Sequence, residues 1–581
     1  MPGLPEFDTR ATNLTTFTVK ADGTALSAEY EIVSVEIRRE ANRVPKATVV
    51  LLDGDAAKQT FARSEEATLI PGVEVEILGG YSSEESTLFK GLVVRQRIEV
   101  DQRGASRLTV ELRDPVFRMT LGRRSRNFSD LTDSEVMEQV IGLNAGLTAD
   151  VTSTSLKHPQ VVQHQASDWD FLVMRAEMAG FAVICVDGKV SVAPPAVAGA
   201  AAVSAVFGQG LFSAELELDA ETQFSAVETG AWDMANQELV TSQSDDVATP
   251  GPGDIPGSDL ANTGGVGSAL RHPGALDQAM LDQWAAAGMG RARRAAVRGR
   301  VRVQGNADLL PGVLIDLGGF GSRFNGLGFV SGVRHRLGRG DWVSEVLIGS
   351  DPKAHAERYP VAAPAAGGIA PPVPGLQIGV VAALESDPAG EDRIQVRLAT
   401  ISETDGLVWA RQALLDAGNK RSTSFRPELD DEVVVGFLDG DPHHPVILGA
   451  LHSSAKPNPL SGSNDNHEKA IVTRAGMRIH WDDDKVIATI DTPAGNKIVL
   501  SEDGKSILVE DQNGNRIELN SDGIAMESPG DITLKATGDV KIEGTNVELS
   551  ANASFKAKGS GGAEVSSSAS TVVKGSLVQI N

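Results

Sequence analysis

Between Gly476 and Leu519 the chain repeats itself every 19 residues, a pattern that severely limits how its apolar side chains can be buried. Gly476-Met-Arg-Ile479-His-Trp481, Gly495-Asn-Lys-Ile498-Val-Leu500 and Gly514-Asn-Arg-Ile517-Glu-Leu519 each place a turn glycine, a polar or basic step, then alternating apolar positions. Asp503-Gly504, Asn513-Gly514 and Asp522-Gly523 supply tight turns. The period then shortens to seven or eight through Gly530-Asp-Ile-Thr-Leu534, Gly538-Asp-Val-Lys-Ile542 and Asn546-Val-Glu-Leu549, and continues more loosely to Leu577-Val-Gln-Ile580. The pattern reads as one short strand and one turn per step. Each strand then carries an apolar stripe that one copy of the segment cannot cover. Three identical chains wound together would bury it, with Ile479, Ile498, Ile517, Ile532, Val540 and Val547 meeting on the threefold axis.

With 581 residues, the chain is long enough for three or more domains. Apolar residues make up 41% and aromatics 4%, with 61 glycines and 27 prolines, which favours many short strands joined by turns. A net charge of -25 argues against gripping nucleic acid or an anionic membrane, since both need Lys and Arg to neutralise phosphates. No stretch of 18 apolar residues appears, so no stable membrane insertion is expected. The N-terminus lacks the basic region and apolar core of a secretory signal. Cytoplasmic synthesis is the expectation. The single cysteine, Cys185, lies in the apolar run Phe181-Ala-Val-Ile-Cys-Val186 and reads as a packing residue.

The fold class read from the pattern is mainly β. Residues 1–125 are expected to form a β-barrel or curved sheet, from runs such as Tyr30-Glu-Ile-Val-Ser-Val-Glu-Ile37 and Leu108-Thr-Val-Glu-Leu112. Residues 126–361 follow, with helices opening at Thr132-Asp-Ser-Glu135 and Ser167-Asp-Trp-Asp170, both capping patterns. Residues 242–274, rich in Gly, Pro, Ser and Asp, are expected to be a long exposed loop, and residues 276–297 a helix. The cluster Arg291, Arg293, Arg294, Arg298 and Arg300 reads as a solvated or interface face. A Pro-rich linker over residues 362–375 marks a boundary. Five strands over residues 376–455 suit an OB-fold barrel, and residues 470–581 form the repeating needle.

These stretches together resemble the VgrG-type spike proteins of phage-tail-like extracellular contractile injection systems. Ile70-Pro-Gly72, Phe89-Lys-Gly91, Ser167-Asp-Trp-Asp-Phe171, Phe320-Gly-Ser-Arg-Phe-Asn-Gly326 and Val330-Ser-Gly-Val-Arg-His335 resemble the tail-hub domain of that family. Trp409-Ala-Arg411, Pro427-Glu-Leu-Asp-Asp-Glu-Val433 and Gly436-Phe-Leu-Asp-Gly-Asp-Pro442, followed by Pro445-Val-Ile-Leu-Gly449, resemble its baseplate OB module. The resemblance implies a homotrimer with tail-hub β-barrel domains, an OB collar and an intertwined trimeric β-helix. It implies a hexameric inner tube protein, baseplate proteins, a PAAR-type tip protein and effector cargo as partners, and a place in a phage-tail-like particle, whether released or kept inside the cell. The tip protein would dock at the C-terminal end, at Leu577, Ile580 and Asn581. An alternative is a trimeric phage tail hub, or a tailspike that binds cell-surface glycans. Against glycan binding, Phe555 is the sole aromatic residue after Trp481.

No catalytic, cofactor-binding or metal-binding constellation is read from the sequence. His443-His444 are adjacent on a turn, where two imidazoles rarely converge on one ion, and Trp481-Asp-Asp-Asp-Lys485 lacks the spacing of a calcium loop. The short stretch Ser453 to Lys469 leaves no room for a muramidase domain between the OB module and the needle. The chain is therefore read as a structural part and not an enzyme.

Overall fold

A computed structural model of the chain describes residues 14–580 apart from 103, 104, 248, 250 and 403. The N-terminal segment read for a signal, and Asn581, lie outside the described residues. The fold is mainly β. It divides into two compact units: the first runs to Pro374 and includes Leu438–Pro442, and the second comprises Gly375–Phe437 and the chain from His443 onward.

A thirteen-stranded sheet dominates the first unit. Strands Ile32–Glu40, Lys46–Leu52, Ser106–Arg113, Glu84–Val100, Glu74–Tyr81 and Thr15–Ala21 follow one another in the sheet. Their alternating inward residues, among them Ile37, Val49, Ile77 and Leu112, are fully buried in one core. This sheet draws strands from both sides of residue 125, while Arg124–Thr132 pairs with Lys157–Ala166 in a separate two-stranded sheet. Strand Gly326–Gly338 pairs with Ile32–Glu40, with His335 opposite Ile37, and carries Asp341–Ile348, Val297–Gln304 and Leu211–Leu218 beyond it. Local alternation shows that each segment is a strand but not which strand it pairs with.

The segment 115–193 forms its own core beside that sheet, around Val140, Leu172, Val183 and Cys185. Thr132 caps the helix Asp133–Gly142 as the sequence predicts: its hydroxyl accepts from the Glu135 amide, and the Glu135 carboxylate accepts from the Thr132 amide at 2.8 Å. Ser167 accepts from the Asp170 amide at 3.0 Å and opens the helix Asp168–Met178. The Cys185 thiol is buried, and burial pushes its pKa up, with Asp114 adding to the effect.

Residues 242–274 are not one long loop. Glu238–Ser244 and Ser268–His272 both pair with Val227–Asp233, and Gly257–Ala261 is a short helix. Backbone hydrogen bonds hold this small sheet, so a composition rich in Gly and Pro conceals it. The helix Gln278–Arg294 and the strand Val297–Gln304 follow, and the arginines of the cluster they carry are not uniformly solvated. Arg293 is buried and its Nε lies 2.9 Å from Asp246, while Arg298 pairs with Asp219 at 2.5 Å.

In the second unit, strands Gln377–Ala383, Ile394–Leu398, Leu407–Gln412, Pro445–Ala450 and Glu432–Phe437 close a barrel in that order around Val381, Val396, Val433 and Ile447. Seven further strands from Glu468–Val472 to Gly523–Glu527 form an antiparallel meander in sequence order. This corrects the expectation of one strand per repeat. Each 19-residue repeat contains two strands, Arg478–Asp482 with Ile487–Asp491, then Lys497–Ser501 with Ser506–Glu510, then Arg516–Asn520 with Gly523–Glu527. The turn inside each repeat folds the chain back, so up to Glu527 neighbouring strands pair within one chain. Beyond Glu527 no strand occurs among the described residues.

Candidate functional site

The meander has one apolar face and one charged face, because side chains alternate along every strand. On the apolar face, register places Ile471, Ile479, Ile490, Ile498, Val509, Ile517 and Met526 in one column. A second column holds Trp481, Ala488, Leu500, Ile507, Leu519 and Ile524. Ile479, Ile498 and Ile517 are each 36 to 40% exposed, although a β-branched side chain on a sheet face is ordinarily buried.

The opposite face is bound by charge. Arg478, Asp491, Lys497, Glu510, Arg516 and Glu527 stand in register across five successive strand pairs, alternating in sign. Arg478 Nε lies 3.0 Å from Asp491 Oδ1 and Lys497 Nζ 3.3 Å from Glu510 Oε2. The turn after Glu510 is built on Asp511, whose carboxylate accepts from the amides of Asn513 and Asn515 at 2.9 Å each. With the Asn515 side-chain hydrogen bond contributing most, its pKa is held down at about 2.

Of the residues singled out for a threefold core, Ile479, Ile498 and Ile517 share one column, as the repeat implies. Ile532 lines the same concavity of about 630 Å³ as Ile498 and Ile517, so the chain after the last strand turns toward this face. Val540 and Val547 lie further on, in the segment without strands, and are well exposed. Leu577 and Ile580, expected to dock a tip protein, are 82% and 91% exposed. The repeat pattern alone did not single out Ile471, Ile490, Val509 and Met526, four of the seven residues of the first apolar column. Their signal was present in the alternation of Ser506-Ile-Leu-Val509, which belongs to the second strand of the repeat.

The titratable clusters of the first unit have structural geometry. Ser167 Oγ donates to Asp170 Oδ2 at 2.6 Å, and His355 Nε2 lies 2.8 Å from Asp170 Oδ1. The carboxylate stands between hydroxyl and imidazole, so the histidine does not contact the serine it would have to deprotonate in a nucleophilic triad. Asp133 is buried between His158, at 3.0 Å, and Arg175, whose Nε donates at 2.7 Å. Burial opposes ionisation of Asp168, but hydrogen bonds from Arg126, Gln163 and Asn144 outweigh it and hold the pKa below the usual carboxylate range.

The five-stranded barrel is the stretch that matches the type VI secretion system/phage-baseplate injector OB domain, over residues 377–452. This match supports the OB-module part of the resemblance to VgrG-type spikes. Residues 11–339, more than half of the chain, match the Alg8 N-terminal domain, and the chain belongs to that family. No curated protein matches it. Among solved structures, a tail protein from Neisseria meningitidis MC58 is 12% identical, with a TM-score of 0.44, over 58% of this chain and 97% of that one. A 43 kDa prophage tail protein from Shewanella oneidensis is also 12% identical, with a TM-score of 0.44, over 58% and 98%. An E. coli component of the type VI secretion system is 13% identical, with a TM-score of 0.38, over 74% and 99%.

Proposed function

We propose that this chain is the trimeric central spike of a contractile injection machine. In this reading it joins the inner tube and baseplate to a puncturing tip, and helps to pierce a target envelope and deliver cargo. The observation that carries the proposal is the two-column apolar face of the meander, which a single chain leaves open. Fully burying one Val, Leu or Ile side chain is worth about 1.5–3 kcal/mol. With roughly half of each side chain still open, a dozen such positions per chain offer a gain of the same order as an association cost of about 4–15 kcal/mol.

Three faces meeting on an axis would place Ile479, Ile498, Ile517 and Ile532 inside and the alternating charges outside. The strandless segment from Ser528 onward, with Val540 and Val547, is where chains would intertwine, because its backbone groups need partners. A hexameric tube protein and baseplate proteins would engage the first unit. A PAAR-type tip protein would cap Leu577, Ile580 and Asn581, and effector cargo would travel with the assembled particle. The role is mechanical and not enzymatic: the Ser167, Asp170 and His355 arrangement works as a helix cap and clamp. Among the described residues no helix is long and apolar enough to cross a membrane.

Light scattering on the purified full chain tests the proposal. A mass three times 61.0 kDa is expected, with loss of stability in a truncation ending near Pro459. A pair of sheets packed face to face would give twice that mass, and a stable monomer would overturn the spike reading.

A further inference from the structure

Within the first unit lies a recess of about 90 Å³ with an unusual balance of charge. Five cations line it, Arg43, Arg291, Arg294, Lys353 and Arg358, against two carboxylates, Glu177 and Asp351. The local surplus is positive in a chain whose net charge is -25. Asp351 is taken by Arg358, at 2.6 Å. Glu177 already accepts from the Asn42 side chain at 3.1 Å and the His355 amide at 2.9 Å, and Arg291 stands 4.0 Å away. Arg43 lies over the Tyr359 ring, and its Nη1 donates to the Asn42 carbonyl. Arg43, Arg294 and Lys353 have no ion-pair partner among the described residues.

One buried donor in the lining residues also lacks a partner, Arg294 Nε. A buried donor without an acceptor costs about 1–3 kcal/mol, so such groups ordinarily mark a missing water or ion. Unpartnered arginine Nε atoms occur elsewhere, in Arg39, Arg298, Arg334 and Arg516. Each of those guanidinium groups is held through another nitrogen by Asp187, Asp219, Glu36 or Glu518. Arg294 has no such carboxylate. Burial, with Arg291 beside it, brings its pKa down to about 10, so it stays charged at neutral pH.

We propose that this recess binds a compact oxyanion of the phosphate type, as inorganic phosphate or as a phosphomonoester group. One carboxylate would leave most of the cationic surplus unmatched, whereas a phosphate carries a charge of about -1.5 to -2 near pH 7 and several acceptor oxygens. The recess is far smaller than the ~300–1,000 Å³ of sites that take larger ligands. This site does not depend on the spike reading.

Full-length protein is titrated calorimetrically with potassium phosphate, against potassium chloride at equal ionic strength, with glycerol phosphate and acetate as further arms. Saturable binding of one phosphate per chain is expected, weakened about 5- to 10-fold in Lys353→Ala, where the side chain is exposed and folding is spared. Arg294→Gln should abolish it, with an unchanged far-ultraviolet spectrum confirming the fold. Glycerol phosphate binding as well as phosphate would support a phosphomonoester source, and phosphate alone a free ion. Heats no different from chloride, acetate competing equally with phosphate, or unaltered affinity in Lys353→Ala would each overturn the proposal.

Discussion

Ile517 stands directly opposite Val509 across two antiparallel strands, and both side chains remain open on the same face. Replacing Ile517 with Asp would put one carboxylate per chain into the proposed core, where burying an unpaired charge is prohibitive. Ile517→Asp, and separately Val540→Asp, should lower the solution mass from three chains to one. A variant that stays trimeric and equally heat-resistant would refute the threefold packing.

Lys497 lies between Asp491 and Glu510 in the charged column. Lys497→Glu would place three like charges in adjacent register positions. A cross-strand pair contributes about 0.2–1 kcal/mol, so a loss of about 1 kcal/mol or more is expected at low salt. The loss should shrink in high salt, as exposed charges are screened. Thermal melts at two salt concentrations check this, and an equal loss at both would point to packing.

His335 is buried with its Nδ1 2.8 Å from Ser344 Oγ. Burial, reinforced by Arg39, lowers its pKa from 6.5 to about 3. Between these values the unfolded chain binds a proton that the folded chain does not. Its contribution to stability is therefore complete above pH 6.5 and declines as pH falls toward 3. Denaturation midpoints for the first unit should drop between pH 6.5 and 4.5, above the range of its depressed carboxylates. The slope should flatten in His335→Gln; identical slopes in both proteins would remove His335 as the cause.

Gly305 sits against the Tyr81 and Trp342 pair, whose ring centroids are 5.3 Å apart. A Cβ at this position would come within 2.0 Å of the Trp342 ring, and the Gly305 carbonyl accepts from the Tyr81 hydroxyl at 3.0 Å. Gly305→Ala should destabilise the first unit by about 1–3 kcal/mol through overpacking. Chemical denaturation measures this, and a cost below about 0.5 kcal/mol would show that the indole moves freely aside.

The sequence by itself determined features whose physics is local. Capping at Thr132 and Ser167 is written within four residues, since the side chain bonds an amide one turn away. The five barrel strands and the column of Ile479, Ile498 and Ile517 follow from alternation, which any strand must express through its period of two. Tertiary structure alone decided the rest. His335 pairs with Ile37 across nearly 300 residues, and that choice depends on how two distant surfaces fit. The second strand of each repeat doubled the apolar face, and register converted scattered Arg, Lys, Asp and Glu into one alternating column. The recess around Arg294 likewise joins residues from 43 to 358. Such partners are selected by long-range packing and charge complementarity, for which no neighbouring residue leaves a local pattern.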